Sequence, residues 1–385
     1  DIQAQTNAYI QYTSGSTQEP RGICITHENI ISNCKSIKNA GFHGSGNHVS
    51  WLPHYHDMGL VGSIICPLYI GISTVLMSPQ SFLRKPIRWL KTIEYFCATS
   101  SGGPAFAYDL VLKHVKEAER KLINLSSWEV AYCGAEPIQN EVLENFSESF
   151  SVSGFNEIYF LPCYGMAEAT LFITGNHGSN SVKVNRKSLS NNEIVFDDAL
   201  SSQVIVSVGN VFDATTVSIV DPDTHCVLGE KKIGEVWIKG PSIASNYINN
   251  AKVDIGLNSD NCFLRSGDLG FIYKDELYIC GRLKDMIIVN GVNIYAQDIE
   301  RVAQSIIKDI ELNSIAAFMK RNQNKKESFI VIIGVRDLKI LNGKDPDYIL
   351  NAIREEIIKY YELAPYSMAF VNSREIPKTS SGKIR

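Results

Sequence analysis

Tyr12-Thr13-Ser14-Gly15-Ser16-Thr17-Gln18-Glu19-Pro20-Arg21-Gly22 is the stretch on which the reading of this chain turns. Residues 8–12 before it alternate as a strand does, and Ile23-Cys24-Ile25 after it is a second short apolar run. Thr26-His27-Glu28-Asn29 then has the form of a helix start. Between the strands lies a loop of glycines and hydroxyls. Glycine lets backbone N–H groups converge on one point, and Thr13, Ser14, Ser16 and Thr17 add hydroxyl donors. With the fixed charge of Arg21, this is a chemistry for holding polyphosphate. An ordinary polar hairpin has the same composition, because Gly and Ser are common turn residues. The loop is not of the Walker type. The nearest match to that pattern, Ser381-Gly382-Lys383, puts Pro377 where its first glycine belongs.

The rest of the chain sets the context. Its 385 residues allow two or three domains and a large core, and 44% hydrophobic with 20% charged residues is a globular composition. A net charge of -4, with no basic run longer than Lys325-Lys326, does not point to nucleic acid. Cysteines at 24, 34, 66, 97, 133, 163, 226, 262 and 280 form no Cys-x-x-Cys, which suggests reduced thiols and a cytoplasmic protein. Residues 59–77 carry no charge and are long enough to span a bilayer. Pro67, Gly59, Gly62, Gly71, Ser63, Ser73 and Thr74 interrupt them, so they read as a buried helix over 60–68 and a strand over 73–77.

Trp51-Leu52-Pro53-His54-Tyr55-His56-Asp57-Met58-Gly59 gathers possible metal ligands, but the spacing misses His-x-His-x-Asp and no partner cluster follows. A cap on the following helix is the structural alternative for His56. Residues 89–99 read as helix then strand, broken by Ser100-Ser101-Gly102-Gly103-Pro104. A helix is predicted over 109–122, with Leu110, Val111, Val115, Ala118 and Leu122 on one face. Strands over 128–133 and 157–161 end in Gly134-Ala135-Glu136 and in Tyr164-Gly165-Met166-Ala167-Glu168, and helices are expected after both. In an open α/β sheet, ligands bind beyond the carboxyl ends of strands. Residues 175–207 are either a surface excursion or an ordered insertion. From 204 to 280 the pattern is all β, with a hairpin at Lys274-Asp275-Glu276 and with Arg265-Ser266-Gly267-Asp268 inside it. From Arg282 onward strands and helices alternate in a unit of about 100 residues. The last segment is Thr379-Ser380-Ser381-Gly382-Lys383-Ile384-Arg385.

In this order, the loop at 12–22, Tyr164-Gly165-Met166-Ala167-Glu168, Ser266-Gly267-Asp268, Gly281-Arg282-Leu283-Lys284 and the terminal Lys383 segment resemble the adenylate-forming superfamily. That group includes acyl-CoA synthetases, peptide-synthetase adenylation domains and luciferases. The likeness covers nearly the whole chain and is closest to the fatty acyl-AMP ligases. It implies an α/β fold: a large layered adenylating domain with a small β-barrel-like subdomain, then a small α+β domain. The expected division is 1–281 and 282–385, with Lys284 as hinge and the first part of the large domain absent from this chain.

The resemblance also assigns residues. Thr13, Ser14, Gly15, Ser16 and Thr17 would hold phosphates. Gly134, Ala135 and Glu136 would face adenine, as would Tyr164, Gly165 and Met166. Glu168 would carry magnesium beside the α-phosphate. Asp268 and Arg282 would fix the ribose. His56 would border the carboxylate pocket, and Gly103, Phe106 and Tyr108 would line the acyl tunnel. Lys383 would be the catalytic lysine. Residues 175–207 look like the insertion that marks fatty acyl-AMP ligases. The implied reaction joins a fatty acid to the AMP of ATP, with Mg2+. The acyl group would pass to the phosphopantetheine of an acyl carrier protein or of a polyketide or peptide synthase. A long-chain acyl-CoA synthetase, an amino-acid adenylation domain and a non-catalytic nucleotide-binding module are the rival readings.

Overall fold

The computed structural model describes residues 1–13, 21–42, 45–199, 202–248, 255–258, 261–289, 292–307, 310, 314–321, 327–341, 343–378 and 384. The first strands, β1 (Asn7–Tyr12) and β2 (Gly22–Thr26), pair antiparallel, with Tyr12 opposite Gly22. Thr26 caps the helix His27–Asn39: its hydroxyl accepts the Asn29 N–H at 3.2 Å, and the Asn29 side chain accepts the Thr26 N–H at 3.0 Å. This reciprocal pair satisfies two of the donors that a helix start leaves open. Buried Asn33 on that helix donates to the carbonyls of Ala169 and Phe172 and accepts the Phe172 N–H. The hairpin is thereby fixed to the segment that contains Glu168.

The central sheet uses β3 (Asn47–Ser50), β4 (Ser73–Leu76), β5 (Ala98–Gly103), β6 (Val130–Cys133), β7 (Phe160–Gly165), β8 (Phe172–Gly175) and, after an excursion, residues Asn210–Val211. Its order is the Asn210–Val211 edge, β8, β7, β6, β5, β3, β4, and the run from β7 to β4 is parallel. Ser100-Ser101-Gly102-Gly103 does not break β5 but belongs to it. These residues are small because the neighbours are close: a Cβ on Gly102 would stand 2.1 Å from the Tyr132 carbonyl, and one on Gly103 2.7 Å from the Trp51 ring. Strand β7 likewise runs through Tyr164 and Gly165, four residues beyond the expected end. A single 3-10 turn, Ala167–Ala169, replaces the helix expected after it. The predicted helix over 109–122 is displaced. It spans Ala105–His114, ends at an extended Val115, and leaves Ala118 and Leu122 exposed.

Uncharged 59–77 forms the helical run Asp57–Leu60, Val61–Ile65 and Cys66–Ile70, and then β4. Among the described residues no helix is long and apolar enough to cross a membrane. The described residues of 175–207 include regular structure. They supply β9 (Ser181–Val184), the turn of helix Arg186–Leu189 and β10 (Gln203–Val206), which pairs antiparallel with β9. Val184, Leu189, Ile194 and Ile205 are buried in one cluster with Leu269, Phe271, Tyr278, Cys280 and Tyr295. Beyond β10, Ser207 and Val208 turn to pair with Tyr278 and Leu277.

A second sheet contains β11 (Thr216–Val220), β12 (Gly234–Lys239), β13 (Ile255–Asn258), β14 (Asn261–Tyr273) and β15 (Glu276–Arg282). All its pairs are antiparallel, and β14 lies between β12 on one side and β13 and β15 on the other. The β14–β15 loop has Lys274 and Asp275 at φ +50 and +63, which is the two-residue hairpin turn that matches strand twist. Ser266-Gly267-Asp268 form a bulge inside the 13-residue β14.

After Leu283–Asp285 come β16 (Met286–Val289), β17 (Val292–Tyr295), β18 (Ile315–Arg321), β19 (Glu327–Val335) and β20 (Ser367–Asn372). Strands β18, β19 and β20 form a sheet packed by the helices Ala296–Ile306 and Pro346–Tyr361. Their core of Ile287, Ile299, Phe329, Val331, Ile333, Ile353 and Ile357 is separate from the cluster under the central sheet.

Candidate active site

The hairpin loop opens between Thr13 and Arg21. The Thr13 N–H donates to the Arg21 carbonyl at 2.9 Å, and the Arg21 N–H to the Thr13 hydroxyl at 3.2 Å. Ser14, Gly15, Ser16 and Thr17 lie outside the described residues, as does Lys383. A short segment ties the hairpin base to Glu168. Cys24 N–H donates to Asn246 O, Ile248 N–H to Gly22 O, and Ala244 N–H to the Glu168 carbonyl. The Arg21 guanidinium sits 5.6 Å from the centre of the Tyr247 ring, and the Tyr247 hydroxyl is 3.4 Å from Glu168 Oε1. Burial holds the Glu168 carboxyl above its usual range; Asp57 adds to this, while Tyr247 and Arg282 oppose it.

Asp268 joins three segments. Its bulge on β14 brings it opposite Arg282 at the end of β15. Arg282 Nε donates to Asp268 Oδ1 at 2.9 Å, and the Tyr164 hydroxyl donates to Asp268 Oδ2 at 2.7 Å. The carboxylate is 8% exposed and the arginine side chain 51%, so the cation reaches from solvent over a sheltered anion. Burial, and then the Asp268 charge, push the Tyr164 phenol well above its ordinary value. The same charge raises Arg282. A carboxylate oxygen has two lone pairs, so both oxygens keep an acceptor site for a further hydroxyl.

The loop after β6 packs on the loop side of β7. A Cβ on Gly134 would lie 2.5 Å from the Cys163 carbonyl, and Ala135 adopts φ +68. That strained alanine presents Glu136, whose Oε1 accepts the Phe106 N–H at 2.7 Å. A Cβ on Gly165 would meet the Leu171 carbonyl, and the Met166 N–H donates to that same carbonyl at 2.9 Å.

Two expectations change. Tyr108 does not line an open tunnel. It is fully buried, its hydroxyl donates to Tyr132 O at 2.9 Å, and Trp89, Trp128, Phe146 and Phe160 surround its ring. Half-buried Phe106 meets the Trp51 ring edge-on at 5.9 Å, beside Gly103. His56 does not end a strand. It stands at the cap position of the helix that starts at Asp57, where Asp57 Oδ1 accepts the Met58 N–H at 2.7 Å and His56 Nδ1 lies 2.6 Å from the same oxygen. Lys284 is exposed in the turn Leu283–Asp285 between β15 and β16.

Tyr247 and Glu235 escaped the sequence reading, and Arg265 was noted there without a role. Tyr247 stands in an irregular segment with no motif. Glu235 left one signal, an acid directly before the apolar run Val236-Trp237-Ile238. Among the described residues no three His, Cys, Asp or Glu side chains gather as a metal cluster. Glu168 is one carboxylate that other oxygens would have to complement.

Residues 1–248 match the family described as AMP-binding enzyme. The medium-chain-fatty-acid acyl-carrier-protein ligase JamA of Moorena producens is 38% identical over 400 residues, a match covering 100% of this chain and 67% of that protein. The ligase of the same description, TtuA of Teredinibacter turnerae, is 36% identical, with 98% and 62% covered. A solved structure from work on fatty acyl-adenylate ligases of E. coli and L. pneumophila has a TM-score of 0.88 at 32% identity, covering 99% of this chain and 69% of that one. The chain thus spans about two thirds of the length of the relatives it matches.

Proposed function

The chain belongs to the AMP-binding enzyme family, and from that premise we propose that its protein activates a fatty acid as acyl-adenylate and passes the acyl group to a carrier-protein thiol. The observation that carries this reading is the meeting of Tyr164, Asp268 and Arg282 from three distant segments. It supports a ribose site beside the strand end that bears Glu168. The similarity to carrier-protein ligases supports the choice of acid and acceptor.

The reaction has one physical obstacle, which is that an anion must approach a polyanion. A carboxylate oxygen of the fatty acid attacks the α-phosphorus of ATP. The bond from that phosphorus to the oxygen of the β-phosphate breaks, and pyrophosphate leaves with the electron pair. No proton moves, because the acid is already ionised at neutral pH. Catalysis then consists of in-line positioning and positive charge around the phosphorus. Thr13, Ser14, Gly15, Ser16, Thr17 and Arg21 hold the departing phosphates. Asp268 and Arg282 hold the ribose. The loop of Gly134, Ala135 and Glu136, with Tyr164, Gly165 and Met166, borders the adenine. Lys383 bridges carboxylate and α-phosphate oxygens.

Glu168 fits a magnesium ion. Burial makes its charge costly, and among the described residues its carboxylate meets the Tyr247 phenol at the limit of hydrogen-bond length. When bound, the ion supplies neutralisation of phosphate charge. His56 orients the chain entering the helix at the carboxylate end, and Gly103 and Phe106 border the acyl group. Asp57 is engaged by His56 and by the Met58 N–H, which leaves it poorly suited to hold a substrate ammonium.

Residues 1–281 and 282–385 act as two bodies hinged at Lys284. Among the described residues the hydrogen bonds that cross between them include Gln203 to Asp298, Arg186 to Tyr361, Gln139 to Gln304, Gln297 to the Cys280 carbonyl, Arg282 to Asp268 and Lys113 to the Ile310 carbonyl. Such contacts can be exchanged, so the small body can turn after adenylation and admit the thiol arm. The test is exchange of labelled pyrophosphate into ATP by the full-length protein with dodecanoic acid. Exchange that needs the acid, and that Lys383→Ala abolishes, supports the assignment. Exchange that Lys383→Ala leaves intact overturns the role given to that lysine.

A further inference from the structure

Glu235 is a buried acid that the proposed chemistry does not use. Strands β12 and β14 lose register beside it. Glu235 pairs with Leu269 and Trp237 with Arg265, so Ser266, Gly267 and Asp268 all stand opposite Val236. This is a bulge, and Gly267 at its crest has φ +71. Nothing lies within 4 Å of where a Gly267 Cβ would be, so conformation rather than space requires glycine there.

The Glu235 carboxylate is spent on this bulge. Oε1 accepts the Gly267 N–H at 3.1 Å. Oε2 accepts Arg265 Nε at 3.0 Å, Arg265 Nη2 at 2.9 Å and Trp237 Nε1 at 2.9 Å. The guanidinium also lies 5.7 Å from the centre of the Trp237 ring. Only 3% of the carboxylate side chain is exposed. A buried charge is costly unless paired and hydrogen-bonded, and these donors all belong to the bulge or its flank. Asp268 follows Gly267 directly, and its N–H donates to Ser266 Oγ at 3.0 Å.

We propose that Glu235 is a positioning residue for nucleotide recognition: it fixes the bulge from which Asp268 meets Tyr164 and Arg282, and so sets the geometry in which Asp268 accepts the two hydroxyls of a ribose. This rests on the ribose reading of Asp268 given above. Glu235→Gln tests it with little change of shape. The amide places N–H groups against donors on one side or the other, so the Arg265 fork and the Gly267 N–H cannot both be satisfied.

Binding of ATP, 2′-deoxy-ATP and 3′-deoxy-ATP to the full-length protein would be measured by calorimetry with magnesium, with thermal unfolding of each variant alongside. The wild type is expected to prefer ATP by about tenfold or more over either deoxynucleotide, the loss from one charge-assisted hydrogen bond. In Glu235→Gln that preference is expected to fall to about threefold or less. Should this variant not fold, Arg265→Lys, which keeps the charge but loses the fork, is expected to weaken the preference in the same direction. A variant that is less stable yet keeps the wild-type preference would make Glu235 a structural residue only and overturn the proposal. A wild type without any preference would overturn the ribose reading itself, and the proposal with it.

Discussion

Asp268 lies where the ends of β7 and β15 meet β14. Its oxygens are held by Tyr164 and Arg282 before any ligand arrives, so the acceptor geometry is set in advance. Asp268→Asn removes the charge that Arg282 faces and replaces one acceptor with a donor. The KM for ATP is expected to rise about tenfold or more while that for the fatty acid holds, as pyrophosphate exchange would show. Two other groups, buried His48 and partly buried Glu300, titrate with opposite sign. Burial pushes the His48 imidazole from 6.5 down to about 3. Its contribution to stability is complete above pH 6.5 and is lost as pH falls toward 3. Burial raises Glu300 from 4.5 to about 7. Its contribution is complete below pH 4.5 and is lost as pH rises through 7. Glu300→Gln is therefore expected to raise the melting temperature more at pH 8 than at pH 5, and equal shifts at both pH values would contradict it. Asp268, Arg282, Tyr164 and Glu168 were legible as residues because short motifs mark them. Glu235 and Tyr247 were not, since their partners come from elsewhere in the chain and only folding brings them together.

Elements were legible where periodicity was strong and misread where packing overruled it. Gly102 and Gly103 read as a break, and Tyr164 and Gly165 as a loop, because glycine normally interrupts strands. In the folded sheet these residues are the ones that let neighbouring backbones and the Trp51 ring approach. The helix expected over 109–122 shifted because Val115 leaves the helix, and the Arg120 guanidinium takes the carbonyls of Leu112 and Val115. The hairpin turn at Lys274-Asp275 holds two non-glycine residues at positive φ. Asp275→Gly is expected to stabilise the protein by about 1 kcal/mol in denaturant titration; destabilisation would contradict the turn geometry. Strand β10 reaches the small C-terminal unit through Gln203, whose Nε2 donates to buried Asp298 at 2.6 Å. Gln203→Met leaves that carboxylate with poorer pairing and is expected to cost about 1–3 kcal/mol.

At the scale of the whole molecule, the order of motifs along the chain was sufficient for the layered α/β architecture, and the match to AMP-binding enzymes agrees with it. What no local pattern could reveal is how residues 175–207 are used. They share a buried cluster with Leu269, Phe271, Tyr278 and Tyr295, and through Arg186 and Gln203 they touch the helices of the C-terminal unit. A free surface loop would make none of these contacts. On the proposed two-body division these contacts would lie between the bodies, and residues 175–207 would then bear on which acceptor enters after adenylation, the choice that separates a carrier-protein ligase from an acyl-CoA synthetase. The most direct measurement incubates the full-length protein with ATP, magnesium, labelled dodecanoic acid and free coenzyme A, and separates the products. Acyl-adenylate that accumulates, with little acyl-CoA until a phosphopantetheinylated carrier protein is added, is the predicted result. Rapid conversion to acyl-CoA, or no adenylate at all, would contradict it.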